Sequence, residues 1–153
     1  MYRSLTILGL FLLFNTSYAQ EESLVQTTEF SFILKPSPLG GIGVFAAHDI
    51  AAGTRALSGK FEPRTMKTKE IPEEFLKYCI HINDEECLCP QRFDRMEIGW
   101  YLNHSDTPNI VRVAHNQVYA LRDIKAGEEI LIDYNQFDEP VHLKEAYYWT
   151  PNP

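Results

Sequence analysis

Val44-Phe-Ala-Ala-His-Asp-Ile-Ala-Ala-Gly-Thr-Arg-Ala-Leu57 and Val118-Tyr-Ala-Leu-Arg-Asp-Ile-Lys-Ala-Gly-Glu-Glu-Ile-Leu131 are one pattern written twice. Valine, an aromatic, alanine, Asp-Ile and Ala-Gly fall in register. Each copy predicts a strand, a tight turn and a second strand. Asp49 and Asp123 are placed to accept backbone N–H groups two residues on, and Gly53 and Gly127 supply the unusual backbone angle such a turn needs. One sturdy hairpin used twice implies a fold built largely from β-structure, in two related units.

Outward from the repeat the chain stays short-stranded. Phe30 to Leu34 predicts a first strand, followed by the loop Pro36-Ser37-Pro38-Leu39-Gly40-Gly41, whose glycines permit positive φ. Between the copies, Pro72 suits a first helical turn and Glu73 to Tyr78 continue it as a short helix. A second short helix is expected from Asp94 to about Leu102, with Met96, Ile98 and Trp100 as its apolar stripe. With 153 residues, 44% of them hydrophobic, there is room for one packed domain. The aromatic residues Tyr147-Tyr148-Trp149 close the sequence as a tail over 138–153.

The first 19 residues read differently. Arg3 forms a basic n-region, Leu5 to Phe14 an apolar h-region, and Ser17-Tyr18-Ala19 a small-x-small cleavage pattern, which together predict a secretory signal peptide. The apolar run falls short of the roughly 20 residues of a permanent membrane span, so no stable membrane anchor is expected. A secreted or periplasmic location follows, with a cytoplasmic one if the segment is instead a buried N-terminal helix. The formal charge of −7 makes nucleic acid a poor partner and suits a basic polypeptide.

Cys79, Cys87 and Cys89 are an odd number and cannot all pair within one chain. With His81 they tempt a zinc assignment. Tyr78 to Ile82 and Glu86 to Cys89 read as strands around the turn Asn83-Asp84-Glu85. If Asp84-Glu85 is the loop, Cys87 and Cys89 share a face with Ile80 and Ile82 while Cys79 and His81 point the other way. A loop one residue longer or shorter reverses this. No metal site is expected.

Three clusters carry chemistry: Ser37-Pro-Leu-Gly-Gly-Ile-Gly-Val-Phe45, Leu102-Asn-His-Ser-Asp-Thr-Pro-Asn109 and Gly127-Glu-Glu-Ile-Leu-Ile-Asp-Tyr134. In this order, over a domain of residues 28–137, they resemble the SET-domain protein lysine methyltransferases. The resemblance implies a mostly β fold of the β-clip type, with several small curved sheets, short helices and a C-terminal pseudoknot-like crossing. It also implies S-adenosyl-L-methionine as cofactor and a protein or peptide lysine as substrate.

By the same resemblance Gly41, Ile42 and Gly43 meet the methionine portion of the cofactor, since residues without side chains let backbone groups approach closely. Asn103 and His104 match positions that hold its adenine and amino-acid end, His104 through its backbone or as a structural histidine. Tyr134 matches the tyrosine beside the reacting methyl group and is the expected catalytic residue, touching cofactor as well. Tyr101, Phe137 and Tyr148 are candidate walls of a lysine channel, and Glu128 and Asp133 are expected to brace the strand and the chain crossing. The chain departs from the family in Asp106, where cysteine often follows Asn-His-Ser, in Ile132, where an aromatic often precedes Asp-Tyr, and in lacking flanking zinc-binding cysteine clusters. Because this cofactor is made in the cytosol, an exported enzyme would work as an effector delivered into another cell. Two further readings are a non-catalytic secreted β-clip binding module and a degenerate SET protein without cofactor binding.

Overall fold

A computed structural model describes residues 32–57, 62–114 and 117–144. The expected signal peptide and the Tyr147–Trp149 tail, including the proposed channel residue Tyr148, lie outside the described residues. Four small sheets make up the architecture of the described residues. β1 (Phe32–Pro36) pairs antiparallel with β2 (Ile42–Ala46), Ile33 opposite Phe45. β3 (Arg55–Leu57), β8 (Ile110–Ala114) and β9 (Gln117–Ala120) form a sheet in the order β3-β9-β8. β4 (Arg64–Lys67), β5 (Ile80–His81) and β6 (Glu86–Cys89) form another, ordered β4-β6-β5. β7 (Asn103–His104) lies parallel to β10 (Leu131–Ile132). Mostly strands, small sheets and short helical turns: the expected β-clip class is the observed one.

The repeated units are not two independent hairpins. Each interlocks with the other. Phe45 bridges Glu129 and Ile50 bridges Ile124, Gly127 N donates to the Ala46 carbonyl, and Gly53 N donates to the Ala120 carbonyl. In this way the first arm of each copy meets the turn or second arm of the other. Eight residues separate Ala46 from Arg55, too many for a tight two-residue hairpin, and the apolar Ile of each Asp-Ile pair is fully or almost fully buried between the loops. Both turn glycines do sit at positive φ, +76° for Gly53 and +84° for Gly127. Val44, Ala46, Ile50, Leu102, Ile110, Ile124, Ile130 and Ile132 are the heart of the main core.

The helix after Pro72 is a single turn, α1 (Glu73–Leu76), with Pro72 as its N-cap. The helix expected over 94–102 is only a 3-10 turn, Ile98–Tyr101. Met96, Ile98 and Trp100 are spaced by two, which does not build a helical face, and Glu97 is extended at ψ 152°. Trp100 alone of the three is buried.

The cysteine hairpin also differs from expectation. Its turn covers 82–85, held by the Asn83 side chain, which accepts the N–H groups of Glu85 and Glu86 at 2.8 and 3.0 Å. The register pairs His81 with Cys87 and Ile80 with Leu88. His81 therefore shares the face of Cys87, not the opposite one, and its Nδ1 lies 3.3 Å from Cys87 Sγ. Cys87 and Cys89 are wholly buried in a second core with Ile71, Met66, Phe75 and Phe93, and the three cysteines are free thiols. Burial pushes the Cys79 and Cys89 thiols up, and their mutual contact acts on both. Among the described residues no group of three or more potential ligands is placed to hold a metal ion.

Candidate active site

The parallel β7–β10 pair brings the Asn-His-Ser and Asp-Tyr clusters together. Ser105 N donates to the Ile132 carbonyl at 3.0 Å. Asn109, 1% exposed, bonds both ways along the same strand: its Nδ2 donates to the Glu129 carbonyl at 2.7 Å and its Oδ1 accepts Leu131 N–H at 2.8 Å. One buried amide thereby satisfies two backbone groups that would otherwise be costly to bury.

Tyr134 opens a 3-10 turn, Tyr134–Gln136, capped by the Asp133 side chain, which accepts Asn135 N–H at 2.8 Å. Its backbone N–H donates to His104 Nδ1 at 3.1 Å, and its hydroxyl donates to the Leu102 carbonyl. With that proton committed, the hydroxyl has only oxygen lone pairs left to offer. Phe137 packs 6.2 Å from Tyr134, centroid to centroid, and Arg112 lies over the Phe137 ring at 5.4 Å. His104 is buried, with its ring 5.3 Å from that of Tyr134. Its Nδ1 anchors the start of the Tyr134 turn by accepting that N–H.

The glycine cluster arrives from β2. Gly41 has φ +63°, and a Cβ there would meet nothing within 4 Å, so its backbone faces open space. Ile42 is 45% exposed. Gly43 is different: a Cβ there would lie 2.0 Å from Glu129 Oε1 and 3.1 Å from Asn103 Nδ2. Glu129 accepts Asn103 Nδ2 at 2.8 Å and the Ser37 hydroxyl at 2.9 Å. All three sequence clusters thus meet at one carboxylate.

Tyr101 packs against the main core, as Tyr134 and Phe137 do, and stands edge-on to Tyr78 with centroids 5.5 Å apart. Burial first, and Tyr78 second, raise its hydroxyl pKa. Glu128 pairs with Arg122, accepts Lys125 N–H at 3.1 Å, and is held below the ordinary carboxylate range by Arg122. Glu129 is the residue of this junction that the sequence reading missed. The available signal for Glu129 was its place in the quoted Gly-Glu-Glu stretch, one residue before Ile130.

A β-clip whose glycine turn, Asn-His-Ser loop and terminal Asp-Tyr converge in this way defines a small domain of one recognisable class. A SET domain profile matches residues 41–135, well over half of the chain, and the chain belongs to the SET domain family, a family of methyltransferases. A SET domain-containing protein of Dictyostelium discoideum is 46% identical over 57 residues, covering 32% of this chain and 14% of that protein. The chain thus spans a small part of that relative's length. The crystal structure of a candidate histone methyltransferase of Plasmodium falciparum is similar at 28% identity and a TM-score of 0.43, covering 66% of this chain and 94% of that one.

Proposed function

We propose that the protein is an S-adenosyl-L-methionine-dependent protein-lysine N-methyltransferase. The observation that carries this reading is the junction of Gly43, Asn103 and Glu129 beside a Tyr134 fixed at both its backbone and its hydroxyl. The residues present fit the cofactor. Gly41 leaves open space, and Asn103 Oδ1 has no hydrogen-bond partner among the described residues while Nδ2 is engaged. Asn103, His104 through its backbone, and the backbone around Ile42 would hold the cofactor. When bound, it supplies an electrophilic methyl carbon on a positive sulfonium.

The chain's own task is the substrate amine. A lysine ammonium with pKa near 10.4 is only about 0.1% neutral near pH 7.4, a shortage worth about 4 kcal/mol, and only the neutral amine has a lone pair to attack with. Apolar walls such as Phe137 and Tyr101 would disfavour the charged form by desolvation. The Tyr134 oxygen would accept an amine N–H and aim the lone pair along the line of displacement. The acidic chain, at −7, suits a basic peptide. Export followed by delivery into a cell that makes the cofactor is the localisation this activity requires if residues 1–19 are a signal peptide.

The test is calorimetric titration of S-adenosyl-L-methionine into the full chain, with Asn103→Ala as control, followed by labelled methyl transfer to a panel of basic peptides. Saturable binding lost in the variant, with label on lysine, is the expected result. A folded chain that binds no cofactor would overturn the proposal in favour of a non-catalytic β-clip module.

A further inference from the structure

Gly43 invites the reading that its missing side chain makes room for a ligand. The space is already taken. Glu129 Oε1 stands 2.0 Å from where a Gly43 Cβ would be, and Glu129 Cδ 2.8 Å. That carboxylate is pinned from two sides, by Ser37 Oγ at 2.9 Å on one oxygen and Asn103 Nδ2 at 2.8 Å on the other. Ser37 is itself oriented, its hydroxyl accepting Leu39 N–H at 3.0 Å.

An ionised carboxylate only accepts hydrogen bonds, so the side of the Asn103 amide that meets Glu129 must be the nitrogen. The Ile42 carbonyl, 3.4 Å from the same nitrogen, is also an acceptor and imposes the same orientation. The amide oxygen must then face away from both.

We infer that Glu129 is the positioning residue of this site: its carboxylate fills the space left by Gly43 and locks the Asn103 amide nitrogen inward and oxygen outward, so Asn103 recognises a hydrogen-bond donor on the ligand. This rests on the cofactor-binding reading above, and it changes the reason for Gly43. Glycine is required there by a side chain of the protein 86 residues later in the sequence, not by the ligand. A methyl group at Gly43 displaces the carboxylate and so loosens Asn103 indirectly.

A double-mutant cycle separates the two reasons. Wild type, Gly43→Ala, Glu129→Ala and the double variant, all as full chains, are compared by thermal melting and by calorimetric affinity for S-adenosylhomocysteine. Glu129→Ala is expected to weaken affinity about tenfold or more, the scale of one charge-assisted hydrogen bond. Gly43→Ala alone weakens both readouts, and the double variant is no worse than Glu129→Ala. Glu129→Gln, which can still accept from Asn103, recovers most of the affinity lost in Glu129→Ala. Asp123→Ala, a destabilised control away from the site, leaves affinity unchanged. Equal damage by Gly43→Ala in both backgrounds would overturn the inference while leaving the proposed function standing. A wild-type chain that binds no S-adenosylhomocysteine would sink the proposed function instead. Melting alone then decides the Gly43–Glu129 coupling, non-additivity supporting it and additivity overturning it.

Discussion

Asp49 and Asp123 occupy the same place in the two copies of the repeat, and each caps the turn of the other copy: Asp49 Oδ1 accepts Ala126 N–H at 2.9 Å and Asp123 Oδ1 accepts Ala52 N–H at 2.9 Å. The sequence expectation was that each would bond within its own turn. The reciprocal arrangement makes the repeat a mutual clasp, with Ile50 and Ile124 buried between the loops and bonded N–H to carbonyl in both directions at 2.8 and 2.9 Å. Removing either aspartate should therefore loosen both copies. Asp123→Ala is expected to lower stability by about 1 kcal/mol, and Ile124→Ala, which hollows the contact, by about 2–5 kcal/mol, both measured by chemical denaturation. Equal stability of Asp123→Ala and wild type would dismiss the clasp.

Acid should undo half of that clasp. The Lys125 side chain holds the Asp49 carboxyl below its ordinary pKa, with the Ala126 N–H adding to it. A carboxyl depressed in the folded state stabilises above its unfolded pKa, about 3.9, and the contribution is lost as pH falls through the lower folded value. Melting temperature followed downward from about pH 5 should fall less steeply for Asp49→Asn than for wild type. Parallel profiles would show that the pair contributes nothing, the usual outcome for weak exposed ion pairs.

The three motif clusters were legible because each is local: a glycine turn, an Asn-His-Ser loop and an Asp-Tyr end are read within a few residues. Tyr134, Asn103 and Gly41 came out of the sequence with roles the geometry can accommodate. Glu129 did not, because its neighbours Gly43 and Ser37 lie in a different motif and only the packed fold brings them to it. The interlocking of the repeat was hidden for the same reason, as strand pairing is decided by long-range contacts that a repeated local pattern does not specify. For the cysteine hairpin the limit was parity. Moving the turn by one residue reverses which side chains share a face, and the observed register put His81 opposite Cys87.

That hairpin should make the protein sensitive to alkali. Burial is the largest cause raising the Cys79 thiol, followed by its contact with Cys89, and burial likewise raises Cys89. A folded state that keeps thiols protonated while the unfolded chain ionises them loses stability as pH rises above the ordinary thiol pKa, about 8.5, and gains nothing from this below it. Wild type should lose melting temperature between about pH 8 and about pH 10 more steeply than Cys79→Ala. Slow alkylation of the native thiols at neutral pH is the companion expectation. Identical slopes for the two proteins would reject the assignment.

Export makes a prediction of mass. If Met1 to Ala19 is a signal peptide, the chain recovered from the secreted or periplasmic fraction starts at Gln20, read by intact-mass spectrometry and N-terminal sequencing. Recovery of the chain in the cytosol with Met1 to Ala19 intact would remove the case for an exported effector and leave the enzyme beside its cofactor supply.

Tyr134→Phe is the substitution that best separates chemistry from binding. The phenylalanine keeps the ring beside His104 and Phe137 and keeps the backbone N–H that donates to His104 Nδ1 at 3.1 Å. What it removes is the oxygen and its bond to the Leu102 carbonyl. The lost bond should cost about 1 kcal/mol of stability. The lost oxygen should cost turnover, because it is the group proposed to accept an amine N–H and aim the lone pair. A fall of about a hundredfold or more in kcat is expected, with cofactor affinity by calorimetry within about threefold of wild type, the split that marks an interaction made in the transition state. Full turnover with normal cofactor binding would take Tyr134 out of the reaction and leave it a core residue. Loss of cofactor binding together with turnover would instead make its hydroxyl a brace for Leu102 and, through the adjacent residue, for Asn103.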